Sequence, residues 1–453
     1  MATFKNVSAS VISALVASER RKRARASSAQ LNFEYAVIHI LQELWKASAI
    51  GPSHEVTIHK GSGWYSKSSR YRNPHLTYRT MMHAFNGLQR CSLIDVLKEG
   101  YYDHDLQSGK ATKIKASRQL KEHFKNLPVH PAIALPPDLD RECIIMRNTV
   151  DGRRVTIDYE DTSRTVQWRE NLNRINKCLI RHWPDLELTN KETSDLQKRL
   201  ALDRDKVPVD LSKRTLVRIF SNNSWEQGGR FYRAWWQNVP KEFRPFITID
   251  GKRTIECDYS QINPYMAYAR AGAPIGSDDA YDRVLEKPHL RDIVKQAFNA
   301  MLQATTSLPS KPHNIDLDGT GLSWKDLKTA VLKSHEPIEN LFFKGIGNHL
   351  QFDDSCMAEA VMLHFPSIDA PALPIHDSFI IHHGYGPELE EQMRKAFFNL
   401  YQHEVPEVVP IIRDRKPASD GWEDLSIEAI LSGPKGYEDY TKRLQDWDHW
   451  RAG

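Results

Sequence analysis

The sequence is poor in cysteine and contains no long apolar run. Its 453 residues include five cysteines, and none of them is spaced as Cys-x-x-Cys. This usage argues against a disulfide scaffold and against a structural zinc site, and it favours a reducing compartment. No apolar segment approaches the ~20 residues that cross a bilayer, and the N-terminal region lacks the order of a secretory signal. We therefore expect a soluble, cytosolic protein with no membrane partner.

The composition is that of a folded, multidomain protein. Hydrophobic residues make up 40% of the chain and charged residues 26%, which excludes general disorder. The length suggests roughly three domains of ~150 residues each.

Positive charge is concentrated near the N-terminus. The net charge of the chain is +4, but residues 1–125 carry +11 and the remainder carries −7. A basic segment joined to a mildly acidic body is typical of nucleic-acid binding coupled to a second function. Ordinary solvated surface charge is the alternative interpretation.

The basic segment predicts a winged-helix-like DNA-binding domain over residues 31–127, preceded by a basic helix or tail over residues 1–30. Apolar residues follow helical spacing over 31–47, and Thr77 is placed to cap a second helix. Residues 51–75 are expected to form a loop. A strand over 92–102, a polar turn over 105–110 and a basic strand over 111–117 come next.

In a winged helix, one helix enters the major groove while the hairpin follows the phosphates. Arg79, Lys113 and Lys115 are therefore candidate DNA contacts. Because any small α+β domain can show the same order of elements, that alternative stays open.

Two distant aspartates are candidates for phosphoryl-transfer chemistry. Asp258 ends a predicted strand, and Asp377 lies at the predicted turn of a hairpin over 372–381. Strand ends within one sheet can bring such residues together. Two carboxylates that hold a pair of Mg²⁺ ions are what transfer to a nucleotide hydroxyl requires. Taken singly, either aspartate also fits a cap or a surface position.

A predicted helix that begins at Pro288 lies between the two aspartates. Arg291, Lys295, Asn299 and Gln303 recur every four residues on its polar face. Arginine and lysine one turn apart suit an incoming triphosphate. An ordinary amphipathic helix with an exposed basic pair is the alternative.

These segments resemble motifs A, B and C of family A DNA polymerases and of bacteriophage-type single-subunit RNA polymerases. The matching residues are Asp258-Tyr-Ser-Gln-Ile262, Arg291 with Lys295, and His376-Asp377-Ser378. Gly228-Gly229-Arg230 resembles an RGR-type element, and residues 351–355 resemble the start of the helix before motif C. The resemblance covers roughly residues 215–385.

The resemblance implies an α+β multidomain fold with a right-hand polymerase of palm, fingers and thumb. The expected domains are a basic helix or tail (1–30), the winged-helix-like domain (31–127), a connector and helical thumb region (128–220), palm and fingers (221–415) and a C-terminal tail (416–453).

The resemblance also implies roles for individual residues. Asp258 and Asp377 would hold two Mg²⁺ ions, for which Mn²⁺ can substitute. Lys295 and His376 would join them as catalytic residues, Lys295 by protonating pyrophosphate and His376 beside the primer terminus. The nucleotide-binding set would be Arg291, Lys295, Asn263, Tyr259 and Asn299. The template or primer would contact Arg230, Tyr232 and Gln351, while Trp235 and Trp236 would stack on bases or lie in the core.

Two departures concern the sugar. Asn263 stands where family A DNA polymerases usually carry a glutamate that blocks a ribose 2′-hydroxyl. Asn299 and Gln303 stand where an aromatic residue is expected. Sugar selection is therefore left open.

The sequence predicts a template-directed nucleotidyltransferase, a compact family A-like DNA polymerase of a phage, plasmid or integrated element, with primer synthesis as an added activity. Its partners would be DNA template and primer, dNTPs, NTPs, and replication proteins such as a helicase or single-strand-binding protein. It would act in the cytoplasm of a bacterial or phage-infected cell. The alternatives are a single-subunit RNA polymerase or primase, and a catalytically inactive palm within an initiator or repressor.

Overall fold

The protein has a mixed α/β fold with more than one hydrophobic core. The computed structural model describes residues 3–19, 21, 23–51, 54–65, 70–103, 108–203, 206–285, 287–401, 411–415 and 435–452. One core gathers buried residues between Val7 and Leu127, and a larger one gathers those between Cys143 and Tyr401. Among the described helices, none is both long enough and apolar enough to cross a bilayer.

The N-terminal unit places helices on a small antiparallel sheet with strand order β1-β5-β2, from which a β3–β4 hairpin extends. Its elements are α1 (Phe4–Ala17), α2 (Ser27–Ile50), β1 (Val56–Ile58), α3 (Ser62–Tyr65), α4 (Tyr78–Arg90), β2 (Ile94–Lys98), β3 (Tyr101–Asp103), β4 (Ser108–Lys110), β5 (Thr112–Ala116) and α5 (Arg118–Lys125).

Local signals account for most of this unit. Thr77 caps α4 as predicted, since its hydroxyl accepts the Thr80 N–H in a capping box. The expected loop over 51–75 is wrong in part, because β1 forms there. Val56 pairs with Ile114 of β5, and Ile58 is buried. The sequence of the loop alone gives no sign of that distant partner.

The expected separate segment over residues 1–30 also needs correction. Val7, Val11 and Leu15 recur at four-residue spacing and pack into the same core as α2 and α4. The basic cluster follows the end of α1 rather than lying within it, and its Arg20 and Lys22 fall outside the described residues. Helix α1 is therefore part of the N-terminal unit.

The larger unit is built on two sheets. Its elements are α6 (Pro131–Ala134), β6 (Ile144–Val150), β7 (Arg153–Ile157), α7 (Ser163–Arg181), β8 (Pro184–Leu186), α8 (Asn190–Leu202), β9 (Val217–Ser221), β10 (Ser224–Tyr232), β11 (Ile247–Ile249), β12 (Lys252–Ser260), α9 (Ile262–Ala271), α10 (Arg291–Gln303), α11 (Trp324–Ser334), α12 (Gly347–His364), β13 (Leu373–Ile375), β14 (Ser378–His382), α13 (Gly386–Tyr401), β15 (Ile411–Arg415) and α14 (Glu438–Ala452). Short 3₁₀-helices cover Trp235–Asn238, Lys241–Phe246, Asp282–Val284, Pro288–Leu290, Glu336–Leu341, Phe365–Ile368 and His383–Tyr385.

The four-stranded sheet has the order β10-β9-β6-β7, with β6 and β9 parallel. The second sheet runs β13-β14-β12-β11-β8, and β15 also pairs with β12. Helix α12 packs on β10, α13 and α7. Because Trp168, Leu172 and Ile175 of α7 lie in the main core, this helix is part of the body of the unit. The assignment of residues 128–220 to a connector and helical thumb region stays a prediction.

The C-terminal segment over residues 416–453 is not simply a tail. Residues 416–434 lie outside the described part of the chain, but α14 docks on the larger unit. Trp447 is fully buried and stacks on Trp183 at 5.7 Å between ring centroids. Arg443 donates to the buried carboxylate of Asp185 at 2.9 Å. The sequence shows no partner for these residues because Trp183 and Asp185 lie far upstream.

Candidate active site

Strand pairing brings Asp258 and Asp377 to neighbouring positions. Asp258, near the end of β12, lies opposite Ser378, the first residue of β14. The next residue, Tyr259, donates its backbone N–H to the Asp377 carbonyl at 3.2 Å. The predicted hairpin is present, with His376 and Asp377 as its two-residue turn and a φ of 55° at His376. The two aspartates therefore lie at neighbouring positions at one end of the paired strands β12 and β14.

Side-chain contacts fix this turn against β12. The Ser378 hydroxyl donates to Glu256 at 2.8 Å and contacts the Ile375 carbonyl at 3.0 Å. Glu256 in turn accepts from Arg244 at 3.0 Å. Ser378 is buried, and its hydroxyl contacts both Glu256 and Ile375. The turn that bears Asp377 therefore has a well-defined position.

A bulge in β10 sets the position of Arg230. Gly228 and Gly229 both have a φ of 75°, and the pairing with β9 shifts register at this point. A Cβ atom on Gly229 would lie 2.8 Å from the Ser355 hydroxyl and 3.0 Å from the Phe220 ring. Glycine is therefore required where the strand approaches α12. Arg230 follows and donates to Asp354 of α12 at 2.6 Å.

The buried Arg218 holds β10 and α12 together beside this bulge. Its guanidinium donates to the Gly229 carbonyl at 2.9 Å, to the Ser355 hydroxyl at 3.0 Å and to Glu359 at 2.7 Å. A buried guanidinium with charge-assisted partners makes a stiff joint. It supports Arg230 without reaching the site itself.

Asp354 contributes a third carboxylate near the turn. Burial raises its pKa to about 6, while the Arg230 guanidinium opposes that rise and the nearby Asp377 carboxylate adds to it. Burial lowers the pKa of His376, and the positive charge of the nearby Arg230 lowers it further. Negative charge therefore gathers around Asp377, with Arg230 as its countercharge.

The predicted nucleotide helix, α10, faces the same region. Arg291 donates to Asp279 at 2.8 Å and lies 5.2 Å from the centroid of the Tyr281 ring. Burial raises the pKa of Tyr281, with Arg291 opposing the rise and Asp377 adding to it. Both charged groups are thus close enough to Tyr281 to act on its hydroxyl. Arg291 and Asp377 therefore both lie near Tyr281.

The polar face of α10 continues beyond Arg291. Lys295 is exposed one turn later, and Asn299 follows after another turn. The amide of Asn263, in the first turn of α9, donates to the Asn299 oxygen at 2.8 Å. The structure thus brings together the two asparagines that the sequence associated with the sugar.

The remaining candidates in this unit fall into two groups. Tyr259 is 2% exposed and donates its hydroxyl to the Met393 carbonyl at 2.5 Å, so its side chain lies in the core and the expected nucleotide contact is corrected. Trp235 and Trp236 are buried core residues, one of the two predicted interpretations. Tyr232 and Gln351 are half-buried, and Gln351 lies one turn before Asp354 on α12.

The DNA-contact candidates of the N-terminal unit lie on two elements, α4 and β5. Arg79 is exposed at the start of α4. Partial burial lowers the pKa of His83, and the positive charges of Arg79 and Arg25 lower it further. Lys113 and Lys115 alternate along β5 with buried residues, so they lie on the outer face of the sheet. Lys113 also pairs with Glu55 at 2.5 Å.

Sequence reasoning missed Asp354 and Asp279 as parts of the site. Asp353 and Asp354 are adjacent in α12, ahead of the apolar end of that helix, and a carboxylate that such a helix buries needs a partner. Asp279 lies in an irregular segment and gives no comparable signal.

Neither a family model nor a curated protein matches this sequence. Among solved structures, the chain is similar to the POL domain of Pol1 from M. smegmatis in complex with DNA primer-template and dNTP, at 12% identity and a TM-score of 0.32. The match covers 89% of this chain and 71% of that chain. A TM-score this low does not establish a common fold, so the functional proposal depends on the residues of the site.

Proposed function

We propose that the chain is a template-directed nucleotidyltransferase, a compact DNA polymerase with an N-terminal DNA-binding unit. The observation that carries this proposal is the pairing of β12 with β14, which sets Asp258 beside the turn that bears Asp377. Helix α10 carries a guanidinium, an ammonium and an amide along its polar face, and its Arg291 shares the neighbour Tyr281 with Asp377. Two carboxylates beside a cationic helix suit transfer of a nucleotide from its triphosphate.

The donor set at this end of β12 and β14 fits two Mg²⁺ ions, with Mn²⁺ as a substitute. Asp258 and Asp377 offer carboxylate oxygens, the hard ligands that these cations prefer. Burial raises the pKa of Asp354 to about 6, with Arg230 opposing the rise and Asp377 adding to it, and a cation bound beside Asp377 would favour the ionised carboxylates. When bound, such ions make the attacking hydroxyl more acidic and neutralise charge on the phosphates.

The chain's own cations would position the triphosphate. Arg291 is a bidentate donor that now binds Asp279, and phosphate oxygens can take the place of that carboxylate. Lys295, exposed one turn later, would contact the same phosphates and supply a proton to the leaving pyrophosphate. Exchange of Asp279 for phosphate would also free an acidic side chain beside the site.

Asn263 and Asn299 would face the sugar. Their mutual hydrogen bond fixes one amide against the other. Neither is as large as a glutamate or an aromatic ring, so a ribose 2′-hydroxyl would be poorly excluded. This supports use of NTPs beside dNTPs and, with it, primer synthesis.

The N-terminal unit supports a winged-helix interpretation. The elements follow the order of that fold: helix α2, strand β1, the short helix α3, helix α4, and then the strands of a sheet of order β1-β5-β2 that carries a hairpin. Helix α4 would be the element that enters a DNA groove, with Arg79 on its exposed side. Template DNA would then contact both units of the chain.

Primer extension tests the proposal directly. The full chain is incubated with primed and unprimed single-stranded DNA, Mg²⁺, and either dNTPs or NTPs. Extension of the primer with dNTPs supports the DNA polymerase. Extension with NTPs alone favours the RNA polymerase or primase. No incorporation under any condition, despite DNA binding, would leave the inactive initiator or repressor as the better account.

A further inference from the structure

A second group of metal-ligand side chains lies at the end of α7. Cys178 is in the last turn of that helix, and His182 follows directly after its end. Asp369 comes from the segment after α12 and its 3₁₀-helix. We call these three residues the α7 cluster. Cys178 is 2% exposed and His182 is 6% exposed, whereas Asp369 is open to solvent.

The ligand atoms of the α7 cluster have the spacing of a metal site. One atom from each residue lies within 4.8 Å of the other two. The distance from His182 Nε2 to Asp369 Oδ1 is 3.5 Å. Tetrahedral zinc, with bonds of about 2.0–2.3 Å, sets its ligand atoms about 3.3–3.8 Å apart. Small movements of these side chains would therefore complete the geometry.

The imidazole is already oriented for coordination. His182 Nδ1 lies 2.6 Å from Asp250, and this contact directs the other ring nitrogen, Nε2, toward the cluster, where zinc would take the place of its proton. Asp250 is itself held by the Trp183 N–H at 2.8 Å and the Trp447 indole at 3.1 Å. A carboxylate behind a histidine is the usual support of a metal-bound imidazole.

A further observation points to a ligand. His182 Nε2 is buried and makes no well-formed hydrogen bond within the described part of the chain, although Asp369 Oδ1 lies 3.5 Å away. It faces Cys178 and Asp369, a thiol and a carboxylate rather than an apolar wall. Leaving such a nitrogen without a hydrogen bond is unfavourable, and a cation would satisfy it.

We propose that the α7 cluster binds one Zn²⁺ through Cys178 Sγ, His182 Nε2 and a carboxylate oxygen of Asp369, with water as the fourth ligand. A thiolate and an imidazole select zinc over Mg²⁺. Thiolate and carboxylate together neutralise the ion. Arg181 donates to Asp369 Oδ1 at 2.7 Å, so Asp369 also has a partner outside the cluster.

The site was not expected from the sequence, which lacks the Cys-x-x-Cys spacing of structural zinc sites. Its ligands come from two separate segments that only the fold brings together. Bound zinc would join α7 to the segment after α12. Through Asp250 it would also brace the turn between β11 and β12, the strand that carries Asp258.

The test measures zinc bound to the untagged full chain. After treatment with a weak chelator and gel filtration, we expect about one zinc per chain by elemental analysis. Replacement by Co²⁺ should give a thiolate-to-cobalt charge-transfer band. Cys178→Ser and Asp369→Asn should lose this zinc, and asparagine suits the positive φ of 51° at position 369. Asp250→Asn should weaken zinc binding about 10–100-fold as a positioning residue.

Matched variants provide the controls. Cys91→Ser alters a cysteine outside the cluster, and Arg181→Gln removes the other partner of Asp369. Both should retain full zinc content. The proposal is overturned if the wild-type chain takes up no zinc, or if Cys178→Ser and Asp369→Asn bind as much as Cys91→Ser with no change in the cobalt spectrum.

Discussion

Asn263 and Asn299 are the residues through which the site would distinguish ribose from deoxyribose. The hydrogen bond between them holds the Asn263 amide in place, short of where a longer glutamate would reach. A site that neither clashes with a hydroxyl nor requires it discriminates by only about 10²-fold. The wild-type chain should therefore incorporate NTPs measurably.

Asn263→Glu should lower NTP incorporation more than dNTP incorporation, because the longer carboxylate would occupy the space of the 2′-hydroxyl. Single-nucleotide incorporation rates with each nucleotide give the ratio. Asn399→Glu makes the same change at an exposed position of α13, outside the candidate site, and serves as the control. A wild-type preference for dNTPs of ~10⁴ or more would show that another contact supplies the discrimination.

The β10 bulge is the element that sets Arg230 beside Asp354. Gly229→Ala combines backbone strain at a φ of 75° with close contacts to Ser355 and Phe220. Gly152 has a φ of 72°, but an added methyl group there would meet nothing within 4 Å, so Gly152→Ala tests the strain alone. We expect Gly152→Ala to lower the free energy of unfolding by about 1 kcal/mol. Gly229→Ala should lower it by about 1–3 kcal/mol more than Gly152→Ala does.

Denaturant unfolding of both variants measures these losses. Equal losses for the two variants would mean that the bulge accommodates an added methyl group at position 229 without a packing penalty, so that glycine is not needed there for packing. Arg230 would then depend on its ion pair rather than on the shape of the strand.

Elements with strong local signals could be predicted from the sequence, and elements with distant partners could not. The helical periodicity of α10, the Thr77 cap and the hairpin at His376–Asp377 are all present as expected. Strand β1, by contrast, exists because it pairs with β5. The site follows the same division: Asp258 and Asp377 lie in recognisable motifs, whereas Asp279 and the α7 cluster meet their partners only after folding.

Helix α4 is the proposed DNA-contacting element of the N-terminal unit. Arg79→Gln should remove one phosphate contact and reduce the slope of log K against log salt concentration by about 0.9. Lys191→Gln removes an exposed lysine from α8 in the larger unit and should leave the slope unchanged. DNA affinities of the full chain across a salt series provide the measurement. An Arg79 variant with an unaltered slope would exclude this face of α4 from DNA binding.

The stability of the whole molecule should depend on the buried His335. Burial and the neighbouring Arg283 lower its pKa to about 4, and its Nδ1 lies 3.1 Å from Arg283 and 3.0 Å from the Tyr268 hydroxyl. An unfolded histidine has a pKa of about 6.5. Below that pH the unfolded chain gains a proton that the folded chain does not, so the free energy of unfolding falls as pH drops from 6.5 toward 4.

This group should account for a loss of about 1.5 kcal/mol between pH 6.5 and pH 5. His335→Gln removes the titrating group, so its stability should fall less over that range, even from a lower starting value. His313→Gln, at an exposed position, should behave like the wild type. Unfolding curves at the two pH values make the comparison. Parallel losses in His335→Gln and the wild type would assign the effect to other groups.

The central claim is that Asp258 and Asp377 act together in nucleotidyl transfer. The most direct measurement is single-nucleotide incorporation by Asp258→Asn and Asp377→Asn, with Asp292→Asn on the exposed side of α10 as the control. Each aspartate variant should lose on the order of 10³-fold in rate, about 4 kcal/mol of transition-state stabilisation, while folding and DNA affinity are retained. The control should keep its rate. Near wild-type incorporation by either aspartate variant would contradict the claim.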